Sequence, residues 1–190
     1  MHKNLIKELP SSFLSCEKDT EAILRKLFIE NQPHSNTLKK LLVINVKDCL
    51  DNIEYDKIAR ETSLKDLVDG QYVRLQPRLK FGEHEDVKSY IILTFDNFTT
   101  TATNPQFRDC TVTFDVICHT DEWDLGNYRQ RPLKIVGIID GILNNCKLSG
   151  IGTFQFLGCN ELILNEDLSG YSLTYAAVHG SDDQIPSSEV

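Results

Sequence analysis

Residues 110–118 read CTVTFDVIC. Val112, Phe114, Val116 and Cys118 fall on one side of an extended chain, and Thr111, Thr113 and Asp115 on the other. Successive strand side chains project to opposite faces, so this alternation predicts a strand with one face on a core and one in water. Upstream, residues 87–98 (VKSYIILTFDNF) form a second strand, apolar on both faces near Tyr90 to Leu93, and TTTATNPQFRD is the polar connection between the two. Earlier still, residues 73–81 (VRLQPRLKF) alternate, and Pro77 confines that strand to an edge or splits it.

Downstream, the acidic loop HTDEWDLGN leads into a helix over about 128–144 (YRQRPLKIVGIIDGILN). Pro132 belongs to its first turn, where a missing N–H costs little. Ile135, Ile138, Ile139, Ile142 and Leu143 make one stripe, opposite Lys134, Gly137, Asp140, Gly141 and Asn144. GTFQFLG, ELILN and YSLTYAAVH then complete the fold as strands, with residues 165–170 as the turn before the last.

The first seventy residues are less regular. Asp19 is placed to cap a helix over about 20–30, with Ile23 and Leu27 on its buried face. Leu41 to Val46 reads as a buried strand or as a helix, and periodicity does not choose between them. Residues 55–70 read as a weak helix with Gly70 as its C-cap. The pattern predicts an α+β fold: a mostly antiparallel β-sheet flanked by two main helices, with an N-terminal helical extension. The expected divisions are a helical extension or arm over 1–72, a core domain over 73–180, and a flexible acidic tail over 181–190.

The stretch NCKLSGIGTFQFLG (145–158) carries a Gly-x-Gly near a lysine. A phosphate loop follows a strand and opens a helix, so that free amides converge on the anion. Here Gly150 and Gly152 follow a helix and precede a strand, and the carbonyls of a helix end repel phosphate. Gly150 is expected to supply a left-handed turn and Gly152 a relaxed strand start.

Lysines and arginines number 20 against 28 acidic residues, a net charge of -8, which argues against a surface that tracks phosphates. Apolar and charged contents of 41% and 25% are those of a globular protein. Six cysteines lack any Cys-x-x-Cys pair, and the mixed N-terminus MHKNLIKELP predicts no secretory segment, so reduced thiols in a cytoplasmic setting are expected. No apolar run approaches the roughly 20 residues that span a bilayer, so no membrane partner is expected.

The sequence offers two metal readings. His119, Asp121, Glu122 and Asp124 carry oxygen and nitrogen for a hard cation, but acidic residues before a helix are already explained by its dipole. Asp69, Asp86 and Lys88 match the loose pattern of a metal-dependent nuclease, without the basic surface such an enzyme needs. No nucleophile elbow is present, and His119 and His179, at strand ends, read as structural histidines. No catalytic residue, metal or cofactor is therefore expected, and the chain is not expected to be an enzyme. Gly137 and Gly141 predict close packing of the helix on another backbone, and an exposed sheet edge calls for a cover, for which a neighbouring copy in a closed ring is one solution.

The order of elements from 87 to 180 is carried by KSYIILTFDNF, NPQFRDCTVTFDVICHTDEWDL, RPLKIVGIIDGILN, KLSGIGTFQFLG and LSGYSLTYAAVHG. It resembles the neck proteins of tailed bacteriophages, in particular the tail terminator (tail completion) family; connector adaptors and stoppers share the setting. The resemblance covers about half the chain and rests on element order, with no diagnostic motif. It implies a structural virion protein of the tail or neck, assembled in the host cytoplasm as a homo-oligomer, with a hexameric ring expected. It further implies contacts with the major tail tube protein and the head–tail connector proteins, and DNA passing through the lumen without specific binding. Asp121, Glu122, Trp123, Asp124, Arg129 and Arg131 are the expected subunit contacts, since aromatic and paired charged groups anchor and register interfaces.

Overall fold

The structure, a computed structural model, describes residues 13, 16–76, 87–101, 107–148 and 150–179. The alternating stretch is the middle of a twelve-residue strand, β3 (Arg108–His119), at the centre of a five-stranded sheet. Numbered along the chain, the strands are β1 (Val73–Arg74), β2 (Ser89–Thr100), β3, the short pair β4 (Lys147–Leu148) and β5 (Gly152–Thr153), β6 (Gln155–Ile163) and β7 (Leu168–His179). The sheet order is β1-β2-β3-β7-β6, antiparallel throughout except for the β1–β2 pair. The helices are α1 (Cys16–Arg25), continued by a π-helical turn (Lys26–Glu30), then α2 (His34–Val43), α3 (Glu54–Glu61), α4 (Leu64–Asp69) and α5 (Arg131–Leu143).

The chain is thus α+β, with a mostly antiparallel sheet. Ile91 and Leu93 of β2, Val112, Phe114 and Val116 of β3, and Leu173 and Tyr175 of β7 form the buried face. Ile23, Leu27 and Phe28, then Leu38, Leu41 and Leu42, then Ile135, Ile139 and Leu143 cover it from α1 with its π turn, α2 and α5. These side chains make one continuous cluster, and each fully buried aliphatic or aromatic group contributes about 1.5–3 kcal/mol. The described residues before 72 therefore supply about a third of this core and are packed into it, where an extension or arm was expected.

Packing also settles the ambiguous segment. Leu38, Leu41 and Leu42 reach the core at helical spacing, so α2 wins over a strand at Leu41 to Val43. Asp19 is not a cap: α1 starts earlier, at Cys16, and the Asp19 carboxylate is buried against His179. In α4 the N-cap Ser63 forms a capping box with Asp66, while Gly70 ends the helix in a right-handed conformation and Gln71 takes the positive φ of 60°. The strand expected over 73–81 is observed only as Val73–Arg74, and its part from Pro77 lies outside the described residues, as does the tail over 181–190. GTFQFLG and ELILN prove to be mostly one strand, β6, with a bulge between Phe156 and Gly158.

The glycine stretch is a β-turn structure. Gly150 (φ 86°) turns β4 into β5, Gly152 (φ 78°) opens β5, and Asn145 (φ 59°), not Gly150, follows the helix. The Ile151 carbonyl accepts from the Val178 N–H at 2.9 Å, so this turn is tied to β7.

The opposite face of the sheet has no helix on it among the described residues. Thr94, Thr113 and Thr174 stand in one row across β2, β3 and β7, and Ser172 donates to Asp115 at 2.6 Å. Tyr90, Ile92, Ile117 and Leu168 close one end of this face as a small apolar cluster with Leu162 and Leu164.

Candidate subunit interface

The loop between β3 and α5 begins with a 3₁₀ turn, Thr120–Glu122, whose Asp121 N–H is capped by His119 Nδ1 at 3.2 Å. Trp123 is half-buried, with its ring centroid 6.5 Å from that of Tyr171. Asp124 accepts from the Gly126 N–H at 2.7 Å and forms an ion pair with Lys47. Arg129 forks onto the Asp51 carboxylate, with Nη1 3.0 Å from Oδ1, and pulls that carboxyl below its usual range. The two pairs fasten the loop to the turn that follows α2.

Arg131 points into its own chain. Its side chain is fully buried, and the guanidinium donates to the carbonyls of Leu41 (2.7 Å), Ile44 (3.0 Å) and Val46 (2.9 Å). It also donates to the Glu122 carbonyl at 2.7 Å and the Glu122 carboxylate at 3.2 Å. The last carbonyls of a helix are orphan acceptors at its negative end, and a planar cation with five donors satisfies several at once. The expectation of Arg131 as a subunit contact is therefore corrected: it is an internal clamp. Glu122, its partner, is largely buried, and burial raises its carboxyl above the usual glutamate value, with Arg131 opposing.

Of the six expected contacts, Arg129 and Asp124 already hold partners in the same chain, Glu122 and Arg131 are drawn inward, and Trp123 is half-covered. Asp121 faces outward, its side chain 76% exposed. The same loop carries a residue that sequence patterning missed: Tyr128 is fully exposed and has a φ of 62°, within a run of three positive φ values from Gly126. A bulky side chain held in that region is uncommon and costs about 1–2 kcal/mol.

The larger unsatisfied surface is β6. Every position of this edge strand is exposed or half-exposed, including Phe156, Leu157 (57%) and Ile163 (70%). Its far side has no strand partner among the described residues, and of its nine residues Glu161 alone is charged. At the other end of the sheet β1 covers β2 only at Ile91 and Ile92, so the outer edge of β2 from Leu93 on likewise has no strand partner among the described residues. On α5, a methyl group put in place of a hydrogen at Gly137 or Gly141 would meet nothing within 4 Å, so no close backbone packing occurs there within the described chain. The two glycines floor a shallow groove flanked by Leu133, Ile138, Ile142 and His34.

One constellation resembles a nucleophile site. Cys16 Sγ lies 3.6 Å from His179 Nε2, and His179 Nδ1 is hydrogen-bonded to the Asp19 carboxylate. Such a row activates a thiol where its thiolate is stabilised, but here burial, and then the Asp19 charge, push the Cys16 thiol up. The row acts as a buried tie between the first helix and the last strand. His179 lies 163 positions from Cys16 and 160 from Asp19, and no local signal joins them.

Among the described residues neither metal reading gathers ligands. Asp69 pairs with Lys65 at 2.7 Å, Lys88 sits 5.7 Å over the Tyr72 ring, and Asp86 lies outside the described residues. Among the described residues no group of three His, Cys, Asp or Glu side chains is placed to hold a metal ion. No helix there is long and apolar enough to cross a membrane.

The sequence model of the YomW family matches residues 35–177, about three quarters of the chain, from α2 almost to the end of β7. The chain belongs to the YomW family. YomW proteins are phage-derived, which agrees with the phage setting implied by element order. The match includes residues 35–72 with the sheet, as their shared core requires of a YomW domain. No curated protein matches the chain significantly.

Proposed function

We propose that this chain is a structural protein of the phage particle, without bond-breaking activity, that assembles as a ring of six copies at the head–tail junction. The ring caps the tail tube and joins it to the head connector, and DNA passes through it without specific contacts. The observation that carries this reading is the open β6 edge. A nine-residue edge strand with exposed Phe156, Leu157 and Ile163, and without lysine or proline, is a template for pairing, and proteins that remain monomeric blunt such edges. Membership of a phage-derived family supports the setting, and the net charge of -8 supports a conduit that does not grip DNA.

The test is particle mass in solution and on purified tail tubes. A ring of six gives particles near six times 21.6 kDa, free or bound to tube ends. Leu157→Lys, at an exposed position, leaves the fold intact and abolishes assembly. A wild-type protein that stays monomeric and ignores tubes overturns the reading.

A further inference from the structure

We infer that β6 of one copy pairs antiparallel with the free edge of β2 in the next, so that the sheets of the assembly join into one closed barrel with the helix-free face toward the axis. This rests on the ring reading and specifies its contact.

Direction comes first. The strands β2, β3, β7 and β6 alternate, and their number is even, so the two edges of this unit run in opposite senses. Identical copies related by rotation about an axis roughly along the strands therefore bring β6 beside a β2 that runs antiparallel to it. The up–down alternation continues across the boundary without a break. A closed barrel leaves no edge, which removes the pairing hazard of both open strands at once.

Register follows from the ladders. Cys159 faces Leu173, which faces Phe114, which faces Leu93, and by the same route Ile163 lies level with Ser89. Among the described residues the edge of β2 without a strand partner begins at Leu93, because β1 occupies Ile91 and Ile92. Moving β6 past β1 requires a stagger of four residues per four-stranded unit. Barrels need such a stagger: one residue per strand is the proportion of an eight-stranded barrel with shear 8, whose strands tilt by about 36°. At this register Ile163 meets Leu93, Leu162 meets Thr94, Glu161 meets Phe95 and Asn160 meets Asp96, all before the bulge that follows Asp96. No like charges are opposed.

The orientation follows from bulk and charge. The helical layer is the thicker one and takes the larger radius. The inward face then presents Thr94, Thr111, Thr113, Ser172 and Thr174 with Asp96, Asp109 and Asp115, and its positions on β2, β3, β7 and β6 carry no lysine or arginine. Arg74, at its margin on β1, is stacked 4.5 Å over the Tyr90 ring.

Asp96→Cys combined with Asn160→Cys, in a Cys159→Ser background, tests the pairing, since both positions are exposed and lie on the helix-free face. Under a mild thiol oxidant this variant forms a covalent ladder in steps of 21.6 kDa, and restoring either Asp96 or Asn160 abolishes it. Dimers joined through Asn160→Cys alone, with nothing gained from Asp96→Cys, mean that β6 pairs with β6 and overturn the inference. Oligomers that form by mass but never cross-link between positions 96 and 160 also overturn it while leaving the ring standing. A chain that is monomeric even on tail tubes removes the ring and this contact together.

Discussion

The Arg131 guanidinium lies 2.7 Å from the carbonyl oxygen of Leu41, at the point where α2 ends and 90 positions away in sequence. Through this contact the first turn of α5 holds the end of another helix, and the acidic loop hangs from the same side chain. Removing it orphans several buried carbonyls and leaves Glu122 without its cation. Breaking a buried charged partner costs about 3–5 kcal/mol. Arg131→Met is therefore expected to lower stability by that amount, measured by urea denaturation of the monomer. Arg131→Lys keeps the charge but not the fork, and should recover only part. A loss below about 1 kcal/mol, the scale of an ordinary hydrogen bond, would contradict the clamp.

Glu122 gives the clamp a pH signature. Burial raises its folded value above the usual 4.5, so the folded chain binds this proton more tightly than the unfolded chain does. The stability it contributes is full below the unfolded value and is lost as pH rises through the folded one. Wild type should lose stability relative to Glu122→Gln as pH is raised from about 4 toward neutrality, a window that starts at the ordinary glutamate value. Parallel denaturation curves for the two proteins across that window would refute the assignment.

Gly170 sits in β7 where a methyl group would stand 1.8 Å from the Val116 carbonyl oxygen and 2.8 Å from its carbon. The obstacle is backbone of the central strand, which cannot turn aside as a side chain does. Overpacking costs typically about 1–3 kcal/mol, and Gly170→Ala should reach or exceed the top of that range. Calorimetry of the variant provides the check; a melting temperature indistinguishable from that of wild type would be inconsistent with so close an approach.

Local period makes β3, β7 and α5 legible, because each buries one face and the spacing of its apolar residues records which. The strand β2 is legible from its continuous apolar run, buried on both faces from Tyr90 to Leu93. Leu41 to Val43 is not decided that way: the choice of helix over strand rests on packing against the sheet and on a cap delivered by Arg131. The sequence of β6 reads as two strands because exposure on both faces erases alternation, and that same exposure makes it the candidate interface. The charges of the acidic loop suggest an interface, yet Lys47, Asp51 and the carbonyls after α2 take up most of them. Those partners lie 77 to 90 residues upstream, beyond any local pattern.

The Asp19–His179 pair offers a separate check on the buried row. The thiol of Cys16 is raised first by burial and then by the Asp19 charge, so replacing that carboxylate by a neutral amide removes one of two causes. Alkylation proceeds through the thiolate, whose fraction at a given pH falls about tenfold for each unit by which the pKa rises. Cys16 should therefore react more slowly with iodoacetamide at neutral pH than a free thiol, and faster in Asp19→Asn than in wild type. Cys159, exposed on β6 and remote from Asp19 in the sheet, serves as the internal standard when the modified peptides are resolved by mass spectrometry. Because Asp19→Asn also loosens the tie between α1 and β7, the ratio must be read below the onset of unfolding, where Cys110 and Cys118, both buried and raised to about 12 and about 11, remain unlabelled. Faster labelling of Cys16 with silent Cys110 and Cys118 isolates the electrostatic effect. An unchanged Cys16 rate under those conditions would mean that the carboxylate does not act on the thiol, and the row would reduce to a hydrogen bond between two distant segments of the chain.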